Sequence, residues 1–152
     1  MLAARKEFKK LGYKVEYQSI VDYFPIFRGS LQKKLEHASI KSACQGKFDI
    51  VMMAFHHSTS DFCMKLTAEK RAEVLKKIKA HCNTLVWLDT ADSTGTCMFD
   101  VMPYVDLYFK KQVLKNTEDY CRDVYGTRTF CEYYHDMLKI EDDVITQRYY
   151  PH

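Results

Sequence analysis

A chain of 152 residues with 47% apolar and 28% charged side chains has the material for one soluble domain with a substantial core. Its 23 Lys and Arg against 20 Asp and Glu leave a formal charge of +3, too little for a nucleic-acid surface, and no stretch approaches the ~20 apolar residues of a membrane span. The six cysteines show no C-x-x-C spacing, and the amino terminus is charged where a secretory signal is apolar; both point to reduced thiols in a cytoplasmic protein.

Residues 2–11 are predicted to form a helix. Ala4, Phe8 and Leu11 share one face, lysines fill the other, and Gly12 stands where a left-handed residue ends a helix. Residues 13–17, Y-K-V-E-Y, alternate like a strand. Between 18 and 29 an aromatic loop carries Tyr23, Phe24, Pro25 and Phe27, side chains that must either pack down or meet a partner. Ser30 is placed to cap a second helix reaching Gln45 and ended by Gly46.

The run F-D-I-V-M-M-A-F, 48–55, is nearly continuous in apolar residues, as parallel strands buried on both faces are. It empties into His56, His57, Ser58, Thr59 and Ser60. Thr67 is expected to cap a third helix with Ala68, Ala72, Leu75, Ile78 and Cys82 inward. Its lysines interleave with Glu69 and Glu73, the pattern of a solvated helix face. A strand over 84–88 leads into the polar loop D-T-A-D-S-T-G-T, 89–96. A short helix over 97–102 should stop at Pro103, and a strand over 105–109 should close at Lys110, Lys111 and Gln112. Beyond that, a helix from Asn116 or Thr117 to Tyr125, a last strand over 127–134, and a polar segment from Glu141 are expected.

Alternating strands and helices predict an α/β domain over 1–140: a Rossmann-like, mostly parallel sheet flanked by helices in three layers. Residues 141–152 read as a polar tail or the start of a linker. Because a helix comes first where such folds begin with a strand, the first strand is expected to be missing and the chain to be part of a longer protein.

In a parallel sheet the carboxyl ends of neighbouring strands share one rim, which is where open α/β sheets bind ligands. His56-His57-Ser58, the 89–96 loop and Lys110-Lys111 should gather there. Ser93, Thr94, Thr96 and the backbone near Gly95 suit an anion or sugar oxygens. Asp89 and Asp92 can accept from hydroxyls or act as a base, and Lys110 or Lys111 can offset phosphate charge. The same residues also make turns, caps and solvated strand ends. Adjacent histidines at a strand end point in different directions, so His56-His57 does not form a metal pair, and no metal or cofactor is expected. No G-x-x-x-x-G-K-[ST], G-x-G-x-x-G or G-x-S-x-G is present, and D-T-A-D spaces its carboxylates one residue too widely for a D-x-D phosphatase pair.

The string W-L-D-T-A-D-S-T-G-T-C-M-F-D-V-M-P-Y-V-D-L-Y-F-K-K-Q-V-L-K-N, 87–116, resembles a segment of bacterial glycosyltransferase-like proteins of surface-polysaccharide synthesis. Y-G-T-R-T-F-C-E-Y-Y, 125–134, resembles its continuation. These are GT-B proteins with two Rossmann-like halves. The resemblance implies an amino-terminal, acceptor-side half whose partner half binds the nucleotide-sugar donor. It implies sugar transfer to a saccharide acceptor without a bound metal, in a cytoplasmic protein with peripheral membrane association. Asp92, Ser93, Thr94 and Gly95 would contact substrate with Lys110 and Lys111, and His56, His57 or Asp89 would supply the base. The alternative is a non-catalytic flavodoxin-like or receiver-like binding module.

Overall fold

The computed structural model describes residues 5–15, 30–55, 60–121, 123–125, 129–141 and 144–146. Its centre is a parallel sheet of β1 (Phe48–Phe55), β2 (Cys82–Asp89) and β3 (Leu107–Lys110), in the order β1-β2-β3. The register runs from Phe48 opposite Cys82 to Phe55 opposite Asp89, and from Val86 opposite Leu107 to Asp89 opposite Lys110. This is the Rossmann-like α/β arrangement expected from the apolar runs. The face bearing Val51, Met53, Leu85 and Trp87 is apolar along most of its length and takes the helical cover that parallel strands need.

The helices of this part of the chain are α1 (Arg5–Lys10), α2 (Ser30–Ala43), α3 (Asp61–Met64) and α4 (Ala68–Lys79). Gly12, at φ +85, lets the chain turn sharply after α1, with Tyr13 N–H donating to the Phe8 carbonyl. Thr67 caps α4 by accepting from Lys70 N–H at 3.4 Å. Ala72, Leu75 and Ile78 then face inward, whereas Ala68 is exposed and Cys82 opens β2 instead of extending the helix.

The core lies on one face of the sheet. Met53, Leu85 and Trp87 from the strands meet Phe62, Leu75, Ile78, Val101 and Val105. Phe62 is stacked on Phe55 at 5.1 Å and tilted against Trp87 at 5.9 Å between ring centres. Ile40 and Ala43 of α2 join the same cluster, as do Cys44 just after it, Cys63 and Cys82. Sequential strand order explains the placement: right-handed crossovers put successive connections on the same face. On the other face Ile50 and Met52 are 45% and 46% exposed, and Leu107 and Phe109 are 49% and 56% exposed. The three layers expected from the sequence are represented among the described residues by the sheet and one helical layer.

Downstream of residue 96 several elements differ from expectation. The segment after the polar loop is a 3₁₀ helix, Phe99–Tyr104, with Pro103 inside it instead of ending it. Proline is tolerated in so short a helix because few backbone donors are needed there. The helix expected to reach Tyr125 is a 3₁₀ turn, Thr117–Cys121, followed by β4 (Asp123–Tyr125). The strand expected over 127–134 is α5 (Thr129–Leu138), and the segment read as tail holds β5 (Val144–Thr146), antiparallel to β4. Residues 13–15 are not in a strand. The rest of that expected strand, the aromatic loop 23–27 and His56-His57-Ser58 lie outside the described residues.

Candidate functional site

The register fixes the rim. Phe55, Asp89 and Lys110 stand side by side where the three strands end. From Asp89 the chain rises into the polar loop, and its first step is stitched to β1 by Thr90 Oγ1 donating to the Phe55 carbonyl at 3.2 Å.

Beneath the loop is a buried polar root. The side chains of Asp89 and Lys110 are 3% and 4% exposed. Asp89 Oδ1 accepts from Ala91 N–H at 2.9 Å, while Oδ2 accepts from the Tyr108 hydroxyl and from Lys110 Nζ at 3.4 Å. Lys110 Nζ also donates to the Thr96 carbonyl at 2.7 Å, and the Tyr108 oxygen accepts from Met98 N–H at 3.2 Å. A second tyrosine acts likewise: Tyr120 donates to the Thr94 carbonyl at 2.9 Å and accepts from Leu114 N–H at 2.8 Å. One carboxylate, one ammonium and two phenols thus hold the loop from 91 to 98.

Burial shapes the chemistry of this root. It pushes the Tyr108 phenol above its ordinary range, and the hydrogen bond to Asp89 adds to the effect, so Tyr108 stays protonated and donating. Burial also pushes the Cys97 thiol up to about 12, although Lys110 opposes it. A thiol held neutral in this way is a packing group, not a nucleophile.

Above the root is the tip. Lys111 Nζ meets Asp92 Oδ1 at 2.6 Å, with the two side chains 56% and 80% exposed. Ser93 Oγ accepts from Gly95 N–H at 3.3 Å, and Gly95 itself is buried. Ser93 and Thr94 are half-buried. Beside the rim, along β3, opens a groove of about 680 Å³ lined by Tyr108, Lys110, Val113, Glu118 and Tyr120 among others.

The expected residues therefore divide. Asp92, Ser93, Thr94, Gly95, Lys110 and Lys111 do share one rim with Asp89, whereas His56 and His57 lie outside the described residues. Asp89, expected as a base, is covered and already accepts from three donors, which makes it the anchor of the loop. Lys110, expected to face phosphate, points inward to Asp89 and Thr96. Of the two lysines, Lys111 is the one presented to solvent.

Two further charged residues frame the rim and were not singled out from the sequence. Glu36 of α2 is 4% exposed and accepts from Ser60 Oγ at 3.0 Å, from Asp61 N–H at 3.2 Å and from Phe62 N–H, so it caps α3. Arg71 of α4 donates to the carbonyls of Phe62, Cys63 and Leu66 and pairs with Asp100 at 2.8 Å. A signal for Arg71 existed: it falls four residues before Leu75 and seven before Ile78, a charge on the apolar stripe.

Among the described residues no three His, Cys, Asp or Glu side chains gather into a metal-binding group, and no helix is long and apolar enough to cross a membrane. No protein-family model matches the chain, and neither the curated proteins nor the solved structures give a match.

Proposed function

We propose that the rim binds a polyhydroxylated, anionic ligand and that the chain is the acceptor-side half of a GT-B-type glycosyltransferase of cell-envelope polysaccharide synthesis. The observation that carries this reading is the strand register, which brings the 90–96 loop and Lys111 to one edge of a parallel sheet. Open α/β sheets take their ligands at that edge. The loop there offers hydroxyls, a carboxylate and a cation, groups that pair with sugar hydroxyls and with phosphate.

In this reading Asp92, Ser93, Thr94 and Lys111 touch substrate, while Asp89, Lys110, Tyr108 and Tyr120 hold them in place. An acceptor hydroxyl forms its bond to the anomeric carbon as the bond from that carbon to the diphosphate oxygen breaks. The leaving diphosphate takes the electron pair, and His56 or His57, next in sequence to Phe55, takes the hydroxyl proton. The donor-binding half is a second domain, and the reaction belongs in the cytoplasm at the membrane surface, where nucleotide-sugars and growing polymers meet. The burial of Asp89 supports this reading over a receiver-like module, whose phosphoacceptor must be open to a phosphodonor.

Titration with a panel of nucleoside-diphosphate sugars and oligosaccharides, followed by ligand-observed NMR or calorimetry, tests it. Saturable binding should weaken about tenfold in Asp92→Ala, the loss of one to two hydrogen bonds to a charged group. Binding by none of the panel, or an affinity in both Asp92→Ala and Lys111→Ala unchanged from that of the native chain, would overturn the reading.

A further inference from the structure

Two exposed apolar surfaces lie away from the rim. The first is the second face of the sheet, where Ile50 and Met52 of β1 and Leu107 and Phe109 of β3 are 45–56% exposed on either side of the buried Val86. Every strand position on that face is uncharged. The second is a stripe on α5. Tyr133, Tyr134, Met137 and Leu138 recur at helical spacing and are 59%, 43%, 63% and 61% exposed.

The two surfaces are of complementary kinds. β1 and β3 lie two strand spacings apart, about 10 Å, which is the width of a helix with its side chains. The ten residues of α5 extend ~15 Å, the length of four or five strand residues. A helix stripe on a sheet face is how α/β layers pack. Within one copy the stripe and the face do not meet, since both stand exposed.

A membrane surface fits the stripe poorly. Glu132, His135 and Asp136 supply its charge, and α5 contains no Lys or Arg, whereas interfacial helices carry a basic face toward anionic lipid. The area favours protein. Eight large side chains about half exposed, at roughly 200 Å² each when open, present on the order of 800 Å² per copy. That equals what a stable interface takes from each partner, ~800 Å², but only if both surfaces are used at once. A two-fold pair satisfies this condition.

We infer that two copies of this chain associate by exchanging α5, the Tyr133–Leu138 stripe of each packing on the Ile50, Met52, Leu107 and Phe109 face of the other. This pairing is independent of what the rim binds. Sedimentation velocity over a wide concentration range tests it with two variants, Met137→Glu on the stripe and Phe109→Glu on the sheet. The native chain should reach twice its monomer mass, and each variant alone should be at least tenfold weaker in self-association. An equimolar mixture of the two should associate more tightly than either alone, because the intact α5 of one meets the intact sheet face of the other. A native chain that stays monomeric overturns the inference. So does a mixture that gains nothing, which is the behaviour of a helix-to-helix or sheet-to-sheet pair. Far-UV circular dichroism checks folding, and Met137→Gln with Phe109→Ser replaces any variant that fails to fold.

Discussion

Removing the Asp89 carboxylate would leave the Lys110 ammonium buried, with the Thr96 carbonyl as the acceptor that remains among the described residues. Stranding a buried charge costs about 3–5 kcal/mol, so Asp89→Ala should lower the unfolding free energy by that much in urea titrations. Tyr108→Phe removes one donor to Asp89 and one acceptor for Met98 N–H and should cost about 1–3 kcal/mol. Titration reports on single side chains as well. Asp106 accepts from Leu85 N–H and Lys79, which hold its carboxyl below the ordinary range, so its contribution is present above the unfolded value near pH 4 and is lost on further acidification. Burial raises the Cys63 thiol to about 11 and the Cys97 thiol to about 12, in the opposite sense. Their contribution is complete below the unfolded thiol value of about 8.5 and falls away as pH climbs toward those raised values. The urea midpoint should therefore decline below pH 4 and again above pH 9. Asp106→Asn should flatten the acid limb, and Cys63→Ala with Cys97→Ala the alkaline one; unchanged limbs would refute the assignment.

At the scale of elements, α4 can be tested at its cap and at its clamp. Thr67→Ala removes the acceptor for Lys70 N–H and should cost about 1 kcal/mol. Arg71→Met should cost more, about 2–4 kcal/mol, since it strands three carbonyls and Asp100 at the junction of α3, α4 and the first 3₁₀ helix. Thermal unfolding of the two variants ranks them, and an equal loss would show that Arg71 is merely a surface residue. The sequence made α4 legible because its cap, its apolar spacing and its charged face agree. The same signals are weaker downstream. T-R-T-F-C-E-Y-Y is rich in strand formers, and only continuing to Leu138 reveals the 130-133-134-137-138 period that makes it α5. Val144-Ile145-Thr146 is too short to show alternation, and it became β5 by pairing with β4, a tertiary contact that no local pattern announces.

A parallel β1-β2-β3 sheet was readable from nearly continuous apolar runs separated first by a helical segment and then by a polar loop with a short helix. With it came the rim, since parallel strands must end together. The inward turn of Lys110 and the burial of Asp89 were not readable, because they depend on Tyr108 and Tyr120 closing over the loop from positions that look like ordinary core aromatics. Amide exchange should follow this organisation. Leu85 to Leu88 in the central strand should be the slowest to exchange, and the short, solvent-covered α1 the fastest; comparable protection in α1 and β2 would contradict it. The division between a fixed root and an exposed tip has one more consequence. The root grips position 94 through its backbone carbonyl and makes none of its described hydrogen bonds to the side chains at 92–94, so a combinatorial library at those three positions should leave most of its members folded.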